Sequence, residues 1–89
     1  MKRYKIIFKG RVQGVGFRYR ALMIAKSLGL VGSVKNLYDG NVEVILQGSQ
    51  DLIDEFINLI ENENFIRVES KAINELGIDE TLNKFEILY

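Results

Sequence analysis

Apolar and polar residues alternate at the start of the chain, with Tyr4, Ile6 and Phe8 on one side and Lys5, Ile7 and Lys9 on the other, which predicts a strand. Three glycines then break the alternation across residues 10–17, a predicted loop. Ala21, Leu22, Ala25 and Leu28 follow at helical spacing. Gly29 stands where a helix closes on a left-handed residue, and Leu30 can pack back on the last turn. The predicted helix spans residues 18–28. Two more alternating runs, 30–38 and 41–47, meet at Asp39-Gly40. That dipeptide predicts a tight hairpin, because both residues tolerate positive φ. Gly48 ends the second run, Ser49 suits a helix N-cap, and Asp51 suits the positive end of the helix that follows. Ile53, Phe56, Ile57 and Ile60 give that helix one apolar stripe. Alternation returns over 65–72, with Ile66, Val68, Ser70 and Ala72 on one side. Phe85, Ile87 and Tyr89 predict a short last strand, and 74–83 is expected to be irregular.

The order β-α-β-β-α-β plus a terminal strand predicts an α+β fold of the ferredoxin-like split βαβ kind, two helices on one face of an antiparallel sheet. Eighty-nine residues make one expected domain, 1–89. A chain of this size buries roughly 60–70% of its unfolded surface, and 47% hydrophobic residues suffice to fill one core.

Composition narrows the chemistry. There is no cysteine, so disulfides and thiolate metal sites are excluded, and no histidine, the usual general base and metal ligand. No metal and no cofactor are expected. Reaction chemistry has to run on Arg, Lys, Asp, Glu, Asn, Ser, Tyr and backbone groups. The first residues carry no signal-like apolar run and no stretch reaches membrane-spanning length. A cytoplasmic protein with no membrane partner is the expectation. Residues 1–38 hold nine basic side chains and no acid, whereas 39–89 hold twelve acids against Arg67, Lys71 and Lys84. Either the halves neutralise each other across the surface, or the basic half attracts an anion.

The run from Gly10 to Arg18 leaves a strand and opens a helix. Gly14 and Gly16 let successive N–H groups converge, and the helix start adds free N–H groups and a positive dipole end, a combination that suits phosphate. Arg18 and Arg20 in the first turn oppose the dipole by about 0.3–1 kcal/mol each. A bound anion would reverse that sign, and Arg18 is better placed because it directly follows the loop. The alternative is a plain strand-to-helix turn whose arginines reach into solvent. Tyr19 stands where a dinucleotide fingerprint needs its third glycine, and no P-loop Gly-Lys-Ser/Thr follows Gly10. Asn36 shares strand parity with Val34 and Tyr38. A carboxamide on a largely apolar face needs partners; near a hairpin, partial exposure supplies them. Asp39 reads as a turn residue, and Lys9 and Lys35 as exposed strand lysines.

The stretch Gly10-Arg11-Val12-Gln13-Gly14-Val15-Gly16-Phe17-Arg18 resembles the first acylphosphatase signature, Gly-x-Val-Gln-Gly-Val-x-Phe-Arg, at every fixed position. Residues 32–42 resemble the second, Gly-aromatic-Val-x-Asn-x-x-Asp-Gly-x-Val, with Ser33 in place of the aromatic. The family's usual prolines before the fourth strand are absent. The resemblance implies hydrolysis of the carboxyl–phosphate anhydride of acyl phosphates to carboxylate and inorganic phosphate. It implies that the Arg18 guanidinium and the backbone amides of Gln13, Gly14, Val15, Gly16, Phe17 and Arg18 bind the phosphate. It also implies that the Asn36 side chain orients the attacking water.

The expected partners are then a small-molecule acyl phosphate and, as product, inorganic phosphate, with a monomer and no nucleic acid. One alternative is a regulatory domain that binds an anion without turning it over. Another is a single-stranded RNA-binding module, against which stand zero net charge and the lack of an aromatic on the third strand. A third is the related domain of hydrogenase maturation factors that process carbamoyl phosphate, which continues into cysteine motifs not found here.

Overall fold

The computed structural model describes all 89 residues, Met1–Tyr89. The elements are β1 (Lys2–Arg11), α1 (Phe17–Leu28), β2 (Val31–Asn36), β3 (Val42–Gly48), α2 (Gln50–Glu61), β4 (Arg67–Leu76) and β5 (Phe85–Ile87). They form one five-stranded sheet in the order β4-β1-β3-β2-β5. The first four strands pair antiparallel, and β5 joins the edge of β2 in parallel, so the whole sheet is mixed. The expected ferredoxin-like arrangement holds, with both helices on one face.

Period-two alternation explains which face is covered. Ile6 and Phe8 of β1, Val42, Val44 and Leu46 of β3 and Val34 of β2 are all buried on the helix side. Against them lie Phe17, Ala21, Ile24 and Ala25 of α1 and Ile53, Phe56 and Ile60 of α2. Small residues at two α1 positions let that helix sit close to the sheet. Leu22 and Leu28, expected in its buried stripe, are half-buried at the stripe's margins. Gly29 closes α1 at φ 69°, and the N–H of Leu30 bonds to the carbonyl of Ala25 at 2.9 Å, which brings Leu30 into the core. Ser49 caps α2, its hydroxyl accepting from the Leu52 N–H at 3.3 Å.

β2 and β4 begin at Val31 and Arg67, later than expected, with Phe65 in a turn at φ 72°. Three further differences from the sequence expectation have a clear physical cause. β1 runs on through Gly10 and Arg11, which pair with Val68 and Arg67 across a bulge. Gly10 sits at φ 130°, and a Cβ there would strike the Arg67 carbonyl, so this glycine serves the close approach of β4 rather than the loop. The hairpin between β2 and β3 is not a two-residue turn. The Gly40 N–H bonds to the Leu37 carbonyl at 3.2 Å, only Gly40 has positive φ, and the Leu37 N–H reaches the Asn41 carbonyl at 2.9 Å. Asp39 keeps negative φ and instead accepts from the Asn41 N–H at 3.0 Å, fixing the turn from outside. β4 continues to Leu76, because its ladder to β1 persists where the side-chain alternation has faded.

β4 and β5 lie at opposite edges, so residues 77–84 must cross the sheet. Gln47 fastens that crossing. Its carboxamide donates to the Asp79 carbonyl at 2.9 Å and accepts from the Asp79 N–H at 2.8 Å, which accounts for a buried polar side chain. Arg3, paired beside Gln47, donates to the Gly77 carbonyl at 3.0 Å. The Thr81 hydroxyl and N–H both donate to the Asp79 carboxylate, at 2.6 and 3.0 Å, and lower its pKa. A lowered carboxylate pKa stabilises the fold above its unfolded value, and that contribution disappears as the pH falls through the lowered one.

Replacing Gln47 by Leu strands the Asp79 N–H and leaves its carbonyl only the 3.3 Å bond from the Leu82 N–H. Urea denaturation is expected to show a loss of about 1–3 kcal/mol; an unchanged midpoint would mean that the crossing is held by other contacts.

Candidate active site

The predicted loop narrows in the structure to residues 12–16, between the end of β1 and the start of α1. Both of its shoulders are pinned by burial. Val12 is fully buried, and Phe17 packs on Phe8 with ring centroids 5.3 Å apart. Burying a side chain of this kind contributes about 1.5–3 kcal/mol, enough to hold the short span between the two anchors in one path. Gly14 and Gly16 meet that path at φ 73° and 80°, where a residue with a Cβ is strained. Gly16 is also the helix N-cap, and no side chain caps the helix there.

The result is a run of backbone donors without acceptors. No N–H of residues 13–19 donates to any group in the protein; the first helical bond runs from the Arg20 N–H to the Gly16 carbonyl at 3.0 Å. Left to water alone, these groups give the helix end little, so the arrangement is one that an anion satisfies.

Strand register brings Asn36 to the same place. Phe8, Val42 and Asn36 stand in one row across β1, β3 and β2. The first two are buried under the helices, while Asn36, at the end of its strand, is only half-buried and faces the cleft in front of α1. The cleft has a volume of ≈ 290 Å³ and is lined by Val12, Gly14, Gly16, Phe17, Arg18, Tyr19, Asn36, Ile87 and Tyr89. That size suits a small anion better than a nucleotide. Of the residues expected at the site from sequence, Gly14, Gly16, Phe17, Arg18 and Asn36 line this cleft, whereas Gln13 and Val15 do not. Val15 is half-buried against the core, and Gln13 lies behind the loop, lining a second cleft together with Asn36.

Arg18 and Arg20 part company here. Arg20 lies 4.0 Å from the Glu63 carboxylate on the exposed surface. Arg18 has no carboxylate partner; its guanidinium lies over the Tyr89 ring, 5.1 Å from the centroid. The Asn36 carboxamide likewise makes no hydrogen bond within the protein. Free backbone donors, a free guanidinium and a free carboxamide thus converge on one small cleft. Elsewhere the basic half is partly neutralised by the acidic half, through Lys2–Glu75, Arg20–Glu63 and Lys35–Glu43.

Two features escaped the sequence reading. Tyr89 reaches the cleft because β5 pairs in parallel with β2, Val34 opposite Ile87, which carries the chain end alongside Asn36; strand order is not visible in a pattern of alternation. The Gln13 side chain also does more than its expected backbone role. Its amide nitrogen donates to the carbonyls of Leu37 and Asn41, each at 2.8 Å. The available signal was a long polar side chain between Val12 and the glycines, where a short or apolar residue would suffice for a turn.

A family model described as acylphosphatase matches residues 4–87. An acylphosphatase of Oceanobacillus iheyensis is 41% identical over the full length of both chains. The crystal structure of the acylphosphatase from Bacillus subtilis superposes with a TM-score of 0.93 at 39% identity, covering 100% of each chain. An acylphosphatase structure from Coxiella burnetii gives 0.88 at 27% identity, covering 98% of this chain and 92% of that one.

The left-handed turn at Gly16 can be tested apart from packing, because a Cβ there meets nothing within 4 Å. Gly16→Ala is expected to cost about 1–2 kcal/mol in urea denaturation. Gly77→Ala, equally open and without positive φ, should stay within about 0.5 kcal/mol. Equal effects at the two sites would contradict the conformational argument.

Proposed function

The chain belongs to the acylphosphatase family, and on that premise we propose that it hydrolyses acyl phosphates with Arg18 and the loop amides holding the phosphoryl group and Asn36 holding the water. The observation that carries this reading is the convergence of unpaired donors: the N–H groups of residues 13–19, the Arg18 guanidinium and the Asn36 carboxamide, all without acceptors in the protein. Residues 1–89 act as one catalytic domain in this account.

The chemistry fits the residue inventory. The phosphoryl oxygens accept from the amides of residues 13–18 and, two at a time, from the planar guanidinium. Contact with Tyr89 contributes only about 0.5–1 kcal/mol at an exposed position, so it orients Arg18 without competing with a phosphate. The Asn36 carboxamide accepts from one O–H of a water and aligns its oxygen with phosphorus. As the new P–O bond forms, the bond from phosphorus to the acyl oxygen breaks. The electron pair leaves on the carboxylate, a stable anion that needs no general acid. The water's proton passes to a phosphoryl oxygen, so an acyl phosphate dianion and water give carboxylate and dihydrogen phosphate. Catalysis here is positioning plus charge stabilisation, which suits a chain with no histidine or cysteine.

Hydrolysis of benzoyl phosphate, followed by ultraviolet absorbance, tests the reading. The wild type should turn over rapidly. Arg18→Ala should lose about 10³-fold or more in kcat and Asn36→Ala about 10²–10³-fold, each with a native circular dichroism spectrum. No turnover by the folded wild type would overturn the catalytic reading in favour of a domain that binds an anion without hydrolysing it.

A further inference from the structure

The site is assembled from two separate pieces of chain. Every group proposed to hold the phosphoryl moiety lies on residues 13–18, one continuous segment. The water holder, Asn36, lies on β2 immediately before the hairpin. Their relative position sets the line from water oxygen to phosphorus, and a misplacement of about 1 Å can cost 10²-fold in rate. Something must fix the distance between the pieces.

The geometry points to the Gln13 carboxamide as that positioning residue, an inference that rests on the reading above. Both hydrogens of its amide nitrogen are used, one on the Leu37 carbonyl and one on the Asn41 carbonyl, each at 2.8 Å. These two residues bracket the hairpin turn. Leu37 follows Asn36 directly, and Asn41 precedes Val42, the residue paired with Asn36. The turn is itself rigid, closed by the Leu37 N–H on the Asn41 carbonyl and by the Asp39 carboxylate on the Asn41 N–H. Gln13 therefore grips a stiff unit at two points, and the grip leaves from the first residue of the phosphate loop. Other polar contacts of residues 12–19 with the hairpin are lacking. The same carboxamide and Asn36 both line the second cleft, of ≈ 540 Å³, so the link runs along the side of the site where Asn36 stands.

This arrangement separates two quantities. Phosphate affinity depends on one segment and should not need the link; the rate depends on both segments and should. Gln13→Met keeps the length and removes both donors. Its kcat for benzoyl phosphate is expected to fall tenfold or more, while the inhibition constant of inorganic phosphate stays within threefold of wild type. In an Asn36→Ala background the same change should cost less than threefold, because the group being positioned is already gone. Gln13→Glu supplies a second route that does not depend on the Met variant folding. Its carboxylate would face two carbonyl oxygens, and protonation returns one donor, so its kcat relative to wild type should rise as the pH is lowered. A Gln13→Met kcat within threefold of wild type, or a loss that simply multiplies with that of Asn36→Ala, would overturn the inference. So would a Gln13→Glu to wild-type ratio that does not change with pH. Wild-type and Asn36→Ala rates measured alongside report separately on the underlying catalytic reading.

Discussion

Burial of Val12 and Phe17 on either side of a short glycine-bearing loop is the constraint on which the site depends. Core packing of these two side chains fixes where the loop begins and ends. Gly14 and Gly16 then make the left-handed turns that aim successive N–H groups outward without a Cβ penalty. Because the cap position is glycine, no side-chain oxygen satisfies those donors from within. A serine or aspartate cap would have stabilised the helix by only about a few tenths of a kcal/mol over glycine, but it would have filled the acceptor position. The fold gives up that contribution and keeps the donors free. Arg18, placed against the dipole and without an ion pair, repeats the same choice.

The order of elements and the face each strand buries were legible because period-two and period-three-to-four patterns follow directly from backbone geometry. Ile6, Phe8, Val34 and the stripe of Ile53, Phe56 and Ile60 all lie where alternation and helical spacing put them. The misses share a cause. The end of β4, the role of Gly10 and the approach of Tyr89 are all decided by a neighbouring strand, through a ladder, a close contact and a parallel register. The hairpin miss is local but subtle. Asp39 tolerates positive φ, yet its carboxylate satisfies the Asn41 N–H while its own φ stays negative, so the longer turn wins.

The loop and Arg18 could be read from sequence as suited to an anion, but the alternative of a solvated turn could not be dismissed there. What the structure adds is where each arginine lies. Arg20, one residue beyond Tyr19, lies near Glu63, whereas Arg18 faces the cleft and finds no carboxylate. Asn36 was weaker still from sequence, since an asparagine near a hairpin is unremarkable. Register with Val42 and Phe8 turns it into the third free polar group at the same cleft.

The central claim is that the backbone donors of residues 13–18 and the Arg18 guanidinium form a phosphoryl site. Titration of the ¹⁵N-labelled protein with inorganic phosphate, followed by amide chemical shifts, tests it most directly. The account predicts saturable shifts concentrated in the backbone amides of residues 13–18, the Arg18 side chain and the Asn36 carboxamide, with the open face of the sheet unaffected. Saturable shifts centred elsewhere, or none in the loop, would contradict it.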